Sequence, residues 1–371
     1  MRVLIVDTVY PAFLAAHYAE RPGLDRASYD EQLAALIARR FGTSDVYSYE
    51  LRRLGHEAIE VIANAGALQR AWLSEHRRGL PLARLADLPT RAGAAAARVF
   101  LQRALRAQIN AFEPQVIYFQ DLWVAPRREL ERLRGQGRLV VGQIASAPPG
   151  PEVLRGFDLI VTSFPHYVER FRALGVGSEY LPISFDTRLL EEVAVNGERP
   201  HPVVFVGGVD RTVHPAGVAL LERLCDRVDL EVWGYGAAAL PASSPIRDRH
   251  RGEAWGLDMY RVLARSRVVV NRHIEAAEGF ANNMRLYEAT GMGAALVTER
   301  APNLDALFAA EREVATYDGE DELVARIEQL RADENHRRAL AAAGHERTLS
   351  EHTYERRIAQ LAAMLEARLS S

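Results

Sequence analysis

The 371-residue sequence contains no lysine: all 46 of its basic residues are arginine. A lysine nucleophile or Schiff base is therefore excluded. The single cysteine, Cys225, falls in what reads as an amphipathic helix. That excludes a disulfide framework, a Cys-x-x-Cys pair and a cysteine-based metal site, and it fits a reducing, cytoplasmic setting. No apolar run approaches the roughly 18 residues that a membrane-spanning helix needs. There is no Asp-x-Asp triplet and no His/Cys cluster with zinc spacing, so no metal is expected. The loop after the first apolar run, Thr8-Val9-Tyr10-Pro11-Ala12-Phe13, lacks glycine. A dinucleotide fingerprint needs glycine there for the close approach of a pyrophosphate, so an amino-terminal NAD-binding domain is not expected.

What is present is a chain that is 48% hydrophobic and 26% charged, enough for a sizeable core, and its length favours two domains. The net charge of −3 gives no reason to expect nucleic acid. Met1 to Asp7 reads as a short buried strand rather than a leader. The Ala-rich stretch from Ala92 to Phe112 carries several arginines on an amphipathic pattern. Peripheral contact with an anionic lipid surface stays open there, while core packing with a solvated arginine face is the reading taken.

Along the chain, strands are expected at Arg2 to Asp7, Glu57 to Ile62, Val116 to Phe119, Leu139 to Gly142, Leu159 to Val161 and Tyr180 to Ile183. Helices are expected at Tyr29 to Phe41, Ser44 to Leu54, over a long segment running to Asn110, and at Pro165 to Leu174. Ligands of parallel sheets sit beyond the carboxyl ends of the strands, which nominates Asp7, Gln120, Asp121, Gln143, Ser163 and His166. Residues 186–202, rich in charge and carrying Asn196-Gly197, read as a linker between a domain at 1–185 and one at 203–350. Val203 to Val206 restarts the strand pattern before Gly207-Gly208, and Leu230 to Gly236 forms the next strand and turn. Helices follow at Ala216 to Cys225, Asp258 to Ala264, Asn303 to Phe308, Asp321 to Arg331 and Glu334 to Ala343. The last segment, 351–371, holds a helix from Tyr354 to Leu369 with an apolar stripe of Ile358, Leu361, Leu365 and Leu369 that returns toward the first domain.

The densest signal runs from Glu278 through Gly279, Phe280, Asn282, Asn283, Arg285 and Glu288 to Gly293, between the apolar runs Val268 to Val270 and Ala294 to Val297. It reads as strand, polar loop, short helix, glycine turn, strand. Asn282 and Asn283 suit a helix cap, and a helix amino terminus near Arg272 and Arg285 attracts an anion such as a diphosphate. An ordinary turn with solvated charges is the alternative.

Glu278-Gly279-Phe280 followed by Glu288-Ala289 resembles the two-glutamate motif of retaining GT-B glycosyltransferases, with the glutamates ten apart where the common motif has eight. Asn283 to Ala289, Gly344 to Arg347 and His352 to Arg357 are similar to the spore-maturation, CgeB-like branch of that superfamily. The resemblance implies an α/β GT-B fold, two Rossmann-like doubly wound domains facing across a cleft. It implies metal-independent sugar transfer from a nucleotide-diphosphate sugar, a co-substrate rather than a cofactor, with retention. The metal-chelating device of GT-A transferases is missing. Glu278 would meet the donor sugar and Glu288 the ribose. Arg211, Arg272, Asn282, Asn283 and Arg285 would surround the diphosphate, and Trp255 would stack on the base. Arg211 could instead pair with a neighbouring carboxylate, and Trp255 could simply pack. Asp121 and His166 are the candidate bases should the reaction invert. The acceptor, whether glycan, lipid-linked glycan, small molecule or protein, is not named by the sequence. A GT-B-fold epimerase or hydrolase and a non-catalytic nucleotide-sugar-binding protein are the alternatives.

Overall fold

The computed structural model describes residues 1–77, 90–194 and 197–370. The chain divides into two compact units, Met1–Leu181 with Ile358–Ser371, and Pro182–Arg357. Each is built on one parallel sheet. In the first, β1 (Arg2–Asp7), β2 (Glu57–Ile62), β3 (Val116–Phe119), β4 (Leu139–Ile144), β5 (Leu159–Thr162) and β6 (Gly177–Tyr180) lie in the order β2-β1-β3-β4-β5-β6. In the second, β7 (His201–Val206), β8 (Glu231–Trp233), β9 (Ser266–Val270), β10 (Ala295–Glu299) and β11 (Ala315–Tyr317) lie in the order β11-β10-β9-β7-β8. These are the two Rossmann-like units expected.

The sequence reason is direct. Val3, Leu4, Ile5 and Val6, like Val116 to Phe119 and Leu159 to Ile160, are wholly or almost wholly buried. Continuous apolar runs of this length suit parallel strands covered by helices on both faces. Proline opens the helices that follow four of the strands, at Pro11, Pro151, Pro165 and Pro215. Its missing N–H costs nothing in a first turn. Ser28 and Glu31 close a capping box at the start of the helix Tyr29–Ile37.

Both strand orders contain a switch point. β1 leads to β2 on one side while β3 carries the sheet on to the other, and β7 leads to β8 while β9 carries on toward β10. Crossover helices on either side of such a point diverge and leave a crevice beyond the carboxyl ends of the two central strands. That directs attention to Asp7 and Gln120-Asp121 in one unit and to Gly207 and Asn271-Arg272 in the other.

Several expectations are corrected. The division falls between Leu181 and Pro182, ahead of the expected linker at 186–202. Phe185 already belongs to the second unit, because its N–H and C=O bond to His352 O and the Tyr354 N–H. The sixth strand is Gly177–Tyr180, paired with Leu159 to Thr162, rather than Tyr180 to Ile183; Pro182 lacks the N–H such a strand would donate. Asn303 to Phe308 contains only a single 3₁₀ turn, Leu304–Ala306, and β11 had no expectation. The long helical segment resolves into Gly66–Glu75 and Arg91–Phe112, with 78–89 outside the described residues. The last helix is Tyr354–Leu369, with Ile358, Leu361 and Leu365 fully buried but Leu369 39% exposed, so the stripe ends one turn early.

Candidate functional site

The second unit's switch point is built around glycine and an arginine. β7 ends in Gly207-Gly208, and the loop after β8 crosses it at Gly234, φ +137°, where a Cβ would lie 2.0 Å from Gly207 O. No other residue type permits that approach. The ring of Tyr235 lies against Gly208 and stacks on Trp255, centroids 5.6 Å apart and planes 10° apart, while the Trp255 indole N–H donates to Glu253 at 2.9 Å. Trp255 thus forms the outer leaf of an aromatic pair beside the glycine turn, a surface suited to a flat ring.

Helix Pro215–Cys225 follows, and the guanidinium over its first turn is that of Arg272, whose Nη1 lies 3.2 Å from where a Gly217 Cβ would stand. Arg272 also approaches Glu275 at 3.2 Å and Glu299 at 3.5 Å. Arg211 stands elsewhere: both Glu222 oxygens accept from it, at 2.5 and 2.6 Å, and Ser244 donates to the same carboxylate.

Beyond β9, a buried polar network holds the loop that leads to helix Met284–Gly291. Asn283 caps that helix by accepting from the Leu286 N–H at 3.3 Å, and its amide donates to Asn271 Oδ1 at 2.8 Å and to Arg272 O at 2.9 Å. Its side chain is spent on building the loop. Asn271 donates in turn to Thr298 at 2.9 Å, and Tyr317 donates to Asn271 O. Burial pushes the His273 imidazole down to about 4; its backbone N–H donates to Glu299, and its Nδ1 accepts from the Asn282 N–H at 3.4 Å. Burial raises Glu299, opposed by that same N–H and by Arg272. Asn282 is 3% exposed, and its Nδ2 has no partner among the described residues. A buried amide of this kind marks a place where a ligand acceptor fits.

Within helix Met284–Gly291, Arg285 and Glu288 face the helix Leu257–Ala264. Arg285 reaches Glu288 Oε2 at 2.7 Å, and the Tyr260 hydroxyl donates to Glu288 Oε1 at 3.1 Å. Burial, then the Glu288 charge, raises Tyr260 well above the usual phenol range, so it stays a donor. Glu278, by contrast, is exposed and in the left-handed region at φ +51°, ending a 3₁₀ turn. Arg272, Asn282 and Asn283 are therefore joined through one network, Arg285 and Glu288 form a pair, and Arg211 pairs with Glu222 instead.

In the first unit, Asp7 and Asp121 meet at the other switch point, both bound to Thr8 at 2.7 Å. Burial pushes Asp7 up to about 7, with Asp121 adding to the shift. Glu60, on the neighbouring β2, is pushed up to about 8 by burial; Ser48 N–H donates to its Oε1 and its Oε2 has no partner among the described residues. His166 opens helix Pro165–Ala173 between the rings of Phe164 and Tyr167. Trp123, 64% exposed, follows Asp121, which accepts its N–H. Sequence reasoning missed Tyr260, Asn271, His273, Glu299 and Trp123. Asn271 and Glu299 had a usable signal, a polar residue ending an apolar run; Tyr260 had none. Among the described residues no group of three His, Cys, Asp or Glu side chains is placed to hold a metal ion, and no helix is long and apolar enough to cross a membrane.

Residues 211–363 match a family model described as glycosyl transferase-like. No curated protein matched the chain. Among solved structures, it resembles the sucrose-phosphate synthase of Thermosynechococcus elongatus, 13% identical, over 100% of both chains, with a TM-score of 0.61. It resembles HepE of Anabaena, determined in complex with UDP-glucose, at 14% identity over 99% of this chain and 100% of that one, TM-score 0.62. A glycosyltransferase from Rickettsia africae is 9% identical over 98% and 97% of the two chains, TM-score 0.57. The fold is thus GT-B, and residues 211–363 are similar to the glycosyl transferase-like family.

Proposed function

We propose that the protein is a metal-independent glycosyltransferase that moves a sugar from a nucleotide-diphosphate sugar to an acceptor hydroxyl with retention. The observation that carries this reading is the switch point of the second unit, where Arg272 covers the first turn of one helix and Asn282-Asn283 opens another. Helix amino termini and guanidinium groups both place positive charge where a leaving diphosphate becomes negative. The family match over 211–363 and the UDP-glucose found in HepE support the same donor class.

In this reading Trp255 stacks on the base and Glu288 accepts from the ribose hydroxyls, each of its oxygens keeping a lone pair beyond the Tyr260 and Arg285 contacts. Arg272 and the amides around Asn282 hold the diphosphate. The bond from the anomeric carbon to the β-phosphate oxygen breaks, and a bond to the acceptor oxygen forms on the same face. The acceptor proton passes to the leaving phosphate oxygen. No protein base is required, and the chain's contribution is positioning and charge stabilisation. In this reading the exposed Glu278 meets the sugar.

The test is incubation of the pure protein with nucleotide sugars, UDP-glucose first, with and without acceptors, following released nucleotide and the anomeric proton of the first product. An α-linked product from an α-linked donor is expected. A β-linked product overturns retention, and release of nucleotide at the same rate without acceptor overturns transfer.

A further inference from the structure

The second unit has a cavity that the donor reading does not use. It measures about 850 Å³ and is lined by Glu198, Arg199, Arg267, Arg337, Arg338 and His345 among others. It lies at the amino ends of β7, β9 and β10, as Pro200, Arg267 and Gly293 in its wall show. The donor residues stand at the carboxyl ends. A five-residue strand separates the two ends by about 16 Å, so the cavity is a separate place in the fold.

Its chemistry is unusual for unused surface. Four guanidinium groups and His345 face two carboxylates, Glu198 and Glu334. One wall is a face of the helix Glu334–Glu351 on which Arg337, Arg338, Ala341, Ala342 and His345 recur at helical spacing, and the two alanines leave the room. Two of the cations are fixed by backbone. Arg199 donates to Ser266 O at 2.8 Å and to Met292 O at 3.0 Å, and Arg337, 9% exposed, donates to Leu330 O at 2.9 Å. Arg267 donates its Nε–H to Arg199 O at 2.7 Å. Burial depresses Arg337, opposed by Glu334, while the neighbouring Arg267 and Arg338 add to the depression. Glu334 is a close counter-ion, at 2.5 Å from Arg338 and 3.9 Å from Arg337.

We propose that this cavity is a second binding site, for an oligophosphate anion such as a pyrophosphate-bearing molecule. A monoanion would only replace the Glu334 contact. A ligand with two or more phosphate charges can engage the fixed Arg199 and Arg337 together with the exposed heads of Arg267 and Arg338.

The probe is inorganic pyrophosphate, titrated calorimetrically into the full chain saturated with UDP so that the donor site is occupied. Binding is expected, weakened at least tenfold in the Arg267→Gln/Arg338→Gln variant and unchanged in Arg223→Gln/Arg249→Gln, which removes two exposed arginines elsewhere in the unit. Arg338→Gln alone, at a side chain 76% exposed, gives the same direction without disturbing the Arg267 bond to Arg199. Absence of heat, or equal weakening in the control variant, overturns the site. Should UDP itself fail to bind, the same comparison without UDP still decides, since the pocket variants act on pyrophosphate alone.

Discussion

Asp7 and Asp121 share one threonine, the Thr8 N–H donating to Asp7 Oδ1 and its hydroxyl to Asp121 Oδ2, each at 2.7 Å. The two carboxyls end neighbouring strands of the first sheet, and neither is placed by its own loop alone. A retaining reaction predicts that Asp121→Asn and His166→Ala slow transfer less than about tenfold, because a general base contributes roughly 10² to 10⁴ and none is used. A loss of three orders of magnitude in either variant, read as kcat, reassigns that residue as a base.

Burial raises Asp7 to about 7 and Glu60 to about 8, both above their ordinary values near 4. A carboxyl that is easier to protonate in the folded state stabilises the fold below its unfolded pKa and loses that contribution as pH rises through the folded one. Melting temperature is therefore expected to fall between about pH 4 and pH 8, from these two groups. Glu60→Gln should flatten the upper part of that slope, and an unchanged profile would contradict the assignment.

Arg272 and Arg211 separate cleanly. Arg272→Ala removes the guanidinium over Gly217, and a charge-assisted contact is worth about 1.5 to 3 kcal/mol, so nucleotide affinity should drop at least tenfold. Arg211→Ala, which frees Glu222 instead, should change affinity less than threefold. Isothermal titration with UDP checks both.

Tyr260→Phe deletes one hydrogen bond to Glu288 and leaves Arg285 in place. The expected loss in nucleotide affinity is about 0.5 to 1.5 kcal/mol. Glu288→Gln should cost more, about tenfold or beyond, since the charge itself is lost. A Tyr260→Phe effect larger than that of Glu288→Gln would show that the tyrosine, rather than the carboxylate, meets the ligand.

Gly344→Ala tests the packing of helix Glu334–Glu351 against the helix that carries Arg285 and Glu288. A Cβ at Gly344 would lie 2.4 Å from Glu313 O and 3.2 Å from the Thr290 methyl. Overpacking of this kind costs about 1 to 3 kcal/mol, and thermal or urea unfolding should show it with no change in pyrophosphate affinity beyond that of a Thr348→Ser control.

Most strands of both sheets were legible because buried parallel strands are short, uninterrupted apolar runs, and helix starts were legible at Tyr29 and Pro165, whereas the helices opening at Pro11, Pro151 and Pro245 had no expectation. β11 was not: Ala315, Thr316 and Tyr317 make a three-residue strand whose identity comes from pairing with Val297 to Glu299. The cap role of Asn283 was readable from its position before Met284. Its bonds to Asn271 and Arg272 O, which occupy its amide, were not.

By itself the sequence determined two α/β units, most of their strands and the loop and short helix in which Asn282, Asn283, Arg285 and Glu288 lie, because these depend on local period and local backbone chemistry. Tertiary structure alone decided that Arg211 pairs with Glu222, that Arg272 covers Gly217, that Tyr260 reaches Glu288 and that burial lifts Asp7 and Glu60. Those outcomes depend on which strands become neighbours and how much water they exclude. Coulomb and desolvation energies are set by distance in space, and partners as far apart in the chain as Arg272 and Gly217 carry no periodic signal of their meeting.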